Sequence, residues 1–73
     1  MGTYEDVIAV TKNYYGFASE LFVSRVLTAA GKTKDNFSKS DIPGFASKIH
    51  DVAGNSLTPE KKEQLKKDIL KLG

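Results

Sequence analysis

The stretch from Tyr14 to Ala30, YYGFASELFVSRVLTAA, is apolar almost all the way round a helix and is interrupted by Glu20, Ser24, Arg25 and Thr28. A helix with apolar side chains on most of its faces has to be covered by other helices. The flanking segments are amphipathic and can supply that cover. The expected fold is therefore all-α, a compact bundle of four helices, or three if the first two run together. With 73 residues, it is expected to be a single domain spanning 1–73.

Helix periodicity divides the chain. Thr3 with Asp6 forms a capping pattern, and Tyr4, Val7, Ile8, Thr11, Tyr14 and Tyr15 follow at spacings of three and four. Gly16 is a poor helix residue and predicts a break or kink. A second helix is expected from about Phe17 to Ala30, with Phe17, Ala18, Leu21, Phe22, Val26, Leu27 and Ala30 as its apolar surface and Gly31 as its stop. Residues 32–39 read as a polar connection with Phe37 plugged into the bundle. A third helix is expected between about Ser40 and Ala53, with Pro43 in its first turn and Ile42, Phe45, Ala46, Ile49, Val52 and Ala53 as its stripe. Gly54 ends it. Thr58-Pro59-Glu60 then starts a last helix that turns Leu65, Ile69 and Leu72 inward. The predicted core is Leu21, Phe22, Val26, Phe45, Ile49, Leu65 and Ile69.

Several chemistries lack their raw material. There is no cysteine and one histidine, so a disulfide, a thiolate metal site, a cysteine nucleophile and a multi-histidine metal site are not expected. A cysteine-free chain fits a reducing, cytoplasmic setting. Charge at Glu20 and Arg25 breaks the longest apolar run, which argues against a membrane span. The acidic MGTYED start lacks the basic region of a signal peptide. The carboxylates are scattered along the chain and suggest no catalytic pair, so no enzyme activity, cofactor or small-molecule substrate is expected.

Three short motifs resemble known sites. Gly31-Lys32-Thr33 looks like the end of a phosphate-binding loop, but Val26 stands where that motif needs glycine and no strand precedes it. Gly54-Asn55-Ser56-Leu57 resembles the prosthetic-group site of acyl carrier proteins, with Asn55 in place of aspartate and 17 residues after Ser56. A turn explains every residue of both. His50, in Ile49-His50-Asp51-Val52-Ala53-Gly54, is similar to the phosphorylation segment of histidine-phosphotransfer domains. There a helical histidine on the flank of the apolar stripe takes a phosphoryl group. Here Ala53 replaces that family's lysine. His50 is the candidate phosphoacceptor in this alternative reading.

All the excess positive charge lies in the last helix. Lys61, Lys62, Lys66, Lys67 and Lys71 stand against Glu60, Glu63 and Asp68, while residues 1–59 sum to zero. Lys61, Lys62, Lys66 and Lys67 form a candidate basic face, and weak nucleic-acid binding through it is a further alternative. Four of the seven aromatics, Tyr4, Tyr14, Tyr15 and Phe17, lie within 14 residues. Tyrosine suits surfaces that are wet in one state and bound in another. Tyr4, Tyr14 and Tyr15 are therefore candidate partner-binding residues.

Residues 14–72 resemble a small helical domain appended to bacterial response regulators, serine/threonine kinases and cyclases. Its signature is an aromatic or aliphatic residue, then Gly-Pro-x-Ala, then an apolar helix with a basic end. The matching residues are Tyr15-Gly16-Phe17-Ala18, with Phe17 in the proline position, followed by Leu21-Phe22-Val23 and Arg25. Ile42-Pro43, Phe45 and Leu65-Lys66-Lys67-Asp68-Ile69 fit its later helices. The resemblance implies a non-catalytic protein-interaction module in bacterial signal transduction. Its partner would be a second copy or a receiver or kinase signalling protein.

Overall fold

The computed structural model describes residues 2–73 and is all-α. Among them, α1 (Thr3–Tyr15), α2 (Ser19–Ala29), α3 (Ile42–Ser47), α4 (Ile49–Ala53) and α5 (Pro59–Leu70) follow in order. Short 3-10 turns at Gly16–Ala18 and Lys39–Asp41 precede α2 and α3. Since α3 and α4 are separated by Lys48 alone, they act as one interrupted segment of a four-part bundle.

The helix ends follow from specific residues. The Gly2 amide donates to Glu5 Oε1 at 3.0 Å, so the N-cap of α1 is Gly2 and not Thr3, one residue before the expected position. Glu5 and Asp6 in that first turn interact favourably with the positive end of the helix dipole. Gly16 takes φ 60° and ψ −130°, a conformation that glycine alone adopts readily, and it separates α1 from α2. After α2, the Lys32 amide bonds Leu27 O at 2.8 Å and the Gly31 amide bonds Thr28 O at 3.1 Å. With Gly31 at φ 75°, this is a Schellman stop. At α5, Thr58 Oγ1 accepts from the Lys61 amide at 3.2 Å.

The expected third helix, 40–53, is not continuous. It opens with the 3-10 turn and breaks at Lys48. Ser47 Oγ donates to Gly44 O at 2.7 Å, and the Lys48 amide bonds Phe45 O instead of Gly44 O. A hydroxyl competing for a helix carbonyl tightens and bends the turn in this way.

The core joins Val7 and Ile8 of α1, Phe22, Val23, Val26 and Leu27 of α2, Ile42, Phe45, Ala46, Ile49 and Ala53 of α3–α4, and Leu65 and Ile69 of α5. Phe37 enters from the loop and meets the Phe45 ring, with centroids 5.3 Å apart. α1 lies on α2 and α5, α3 on α5, and α4 on α2 and α5. Six of the seven predicted core residues are buried. Leu21 is not: it is 60% exposed, and Phe17 is fully exposed. The expected cover round α2 is therefore incomplete. The buried side of α2 is the arc Ser19, Phe22, Val23, Val26 and Leu27, held by α1 and α4. Leu21 lies about 100° round from Phe22, beyond what those two neighbours reach.

Candidate functional site

Where α2 turns away from its neighbours, a groove of about 230 Å³ opens toward solvent. Tyr15, Ala18, Leu21, Phe22 and Arg25 form one wall, and Val52, Ala53 and Ser56 form the other. The floor is set by the Tyr15 ring stacked on Phe22, with centroids 4.3 Å apart. Gly54, at φ 53°, folds the chain back after α4 and so delivers Ser56 to the groove. Ser56 Oγ donates to Ala53 O at 2.6 Å and lies 2.6 Å from the Tyr15 hydroxyl, which donates to it in turn. The far wall is thus pinned to α1.

Leu21 and Arg25 of α2 line the groove on one exposed side, and Phe17, four residues before Leu21 in the 3-10 turn, is exposed next to the groove residue Ala18. Phe17 projects wholly into solvent beside Ala18. Leu21 was expected in the core and Phe17 on the apolar surface of the second helix, and both are exposed instead. The signal available was Arg25, a cation on the same stripe as Phe17 and Leu21, opposite the Val23–Leu27 side.

The three candidate tyrosines are all half-buried and are spread along α1, with Tyr4 and Tyr15 about 16 Å apart by helical rise. Tyr4 packs against the core beneath Lys34, whose Nζ is 5.9 Å from the ring centroid. Tyr14 donates to Asp68 Oδ2 on α5 at 2.7 Å. Partial burial, that hydrogen bond and the Asp68 charge push the phenol up to about 12. The same hydrogen bond, with help from Gln64 and Lys71 and against the effect of burial, holds the Asp68 carboxyl below its usual value. Tyr15 alone of the three lines the groove.

His50, on α4, points Nε2 at Glu63 Oε1 of α5 across 3.3 Å, and its side chain is 40% exposed. A carboxylate at that distance repels an incoming phosphoryl anion. Ala53, in the place of the phosphotransfer lysine, is buried in the core. The nearby Lys62 Nζ is engaged with Gly54 O at 2.8 Å. On α5, Lys62 and Lys66 share one side, while Lys61 and Lys67 fall on others. The four lysines therefore do not make one continuous face.

Among the described residues, no three His, Asp or Glu side chains are grouped to hold a metal ion. No described helix is long and apolar enough to cross a membrane. No protein-family model, curated protein or solved structure matches the chain.

Proposed function

We propose that the domain is a non-catalytic protein-interaction module of bacterial signal transduction, docking through the Phe17–Leu21–Arg25 stripe and its groove. The observation that carries this reading is a phenylalanine and a leucine left in water beside an apolar groove. Burying such a side chain is worth about 1.5–3 kcal/mol, so a chain this small gains from a partner that covers both. The groove falls short of the roughly 300 Å³ of small-molecule sites, and it suits single side chains of a protein partner. Tyr15, Gly16, Phe17, Ala18, Leu21 and Arg25, which carry the resemblance to the signalling-associated domain, build or border the groove. A two-hybrid matrix against bacterial receivers and kinases tests the reading. It expects specific pairs that Phe17→Ser abolishes and a change at the exposed Asn13 leaves intact. Labelling of His50 by acetyl phosphate or a phosphorylated receiver, with no Phe17-dependent pair, would replace this reading with phosphotransfer.

A further inference from the structure

Resting on that reading, we infer that the groove's occupant is a second copy of this chain, which inserts its Phe17 about a two-fold axis passing near Leu21. The surface is complementary to itself. A fully exposed ring stands next to an empty groove, so a two-fold operation that puts Phe17 of one copy into the groove of the other does the reverse at the same time. An apolar cavity of about 150 Å³ holds a benzene ring, so a groove of about 230 Å³ accepts a phenylalanine side chain.

The stripe carries the same symmetry. Phe17 lies four residues before Leu21 and Arg25 four after. When two α2 helices cross antiparallel with Leu21 on the axis, Leu21 meets its own copy. Phe17 then comes opposite the other chain's Arg25, which already lines the groove. The guanidinium can lie over the inserted ring, a cation–π contact that strengthens as water leaves. Ala18 falls opposite Ser24, and two small residues there let the helices approach closely.

The area required is modest. The lower end of specific interfaces removes about 600 Å² from each partner, roughly an eighth of the 4508 Å² surface of this chain.

Sedimentation equilibrium of the intact chain tests this. The expected result is a mass rising with concentration from 8.0 kDa toward twice that value. Phe17→Ala and Arg25→Ala should each weaken association more than about tenfold, as interface hot spots do. An equimolar mixture of these two variants restores one of the two ring–guanidinium contacts. It should associate more tightly than either variant alone, which a nonspecific apolar contact would not do. The chain has no native cysteine, so Leu21→Cys provides a second readout. On mild oxidation it should give a symmetric disulfide dimer, whereas Asn13→Cys, on an exposed position away from the groove, should stay monomeric. A far-UV spectrum confirms that each variant is folded. A chain that stays monomeric at millimolar concentration overturns the inference, as does a Leu21→Cys protein that cross-links no faster than Asn13→Cys. If Phe17→Ser still abolishes two-hybrid pairs in that case, the interaction reading survives and only the second-copy occupant is lost.

Discussion

Tyr14 and Ser19 show how differently two polar side chains can fare in the same small core. Tyr14 reaches out of α1 to Asp68 and ties the first helix to the last. A hydrogen bond to a charged group contributes about 1.5–3 kcal/mol, less here because the Asp68 side chain is 28% exposed. Tyr14→Phe should therefore cost about 1–2 kcal/mol near pH 7. Asp68 is more acidic in the fold than in the unfolded chain. Its contribution is thus complete above the unfolded value and is lost as pH falls through the folded one. Urea midpoints of the wild type and Tyr14→Phe should draw together as pH falls through the lowered Asp68 value. The phenol shifts the other way. Its folded value is near 12, so its contribution is present below about 10 and fades as pH rises through the folded value. Equal midpoints for the two proteins at neutral pH would show that the bond contributes nothing. Ser19 is wholly buried, and its hydroxyl finds no partner among the described residues. Ser19→Ala removes an unsatisfied group from the core and favours the helix, so it should raise stability by up to about 1 kcal/mol. A loss measured by urea unfolding would mean that the hydroxyl is satisfied in solution.

At the level of helices, periodicity located the elements and missed which sides were closed. Of the expected stripe, Ile42, Phe45, Ala46, Ile49 and Ala53 are buried and Val52 is half-buried at the groove, and Thr58-Pro59 starts α5 because its cap chemistry leaves little choice. Gly16 and Gly31 sit at the breaks that glycine predicts. The interruption at Lys48 is not legible in the apolar pattern, because it depends on a local competition between Ser47 and the backbone. The groove is not legible there for a different reason: composition shows that α2 is apolar on several sides, but only the placement of α1 and α4 decides which side lacks a neighbour. Substitutions separate the two sides of α2 and its partners. Phe45 is completely buried, and Phe45→Ala should cost about 3–5 kcal/mol, enough to unfold much of a domain with the marginal stability of small proteins. Leu65→Ala should cost about 2–5 kcal/mol. Leu21→Ser, on the open side, should stay within about 0.5 kcal/mol of the wild type when measured in dilute solution. A large loss at Leu21 would place it in the core after all.

The whole molecule holds together because no helix can be removed without opening the core. α5 is the clearest case. Its exposed side is so rich in charge that the helix has little apolar content beyond Leu65 and Ile69, and both are fully buried. Those two residues face α1, α3 and α4, the elements α5 packs on, and Asp68 adds the bond to Tyr14. Twelve residues are too few for a stable isolated helix in water, so α5 takes its helicity from the core it completes. The dependence runs both ways. A chain of this size buries only about 60% of its unfolded surface and has no disulfide to offset the loss of a helix. A version ending at residue 57 should therefore lose most of its far-UV helical signal, and a peptide of residues 58–73 should be mostly unstructured. Mixing the two should restore helix if the docking energy exceeds the entropy of association. The intact chain should unfold in one transition, with tyrosine fluorescence and helical signal changing together. A 1–57 fragment that keeps a cooperative helical transition would mean that α5 is an appendage on a three-helix core and not part of the bundle.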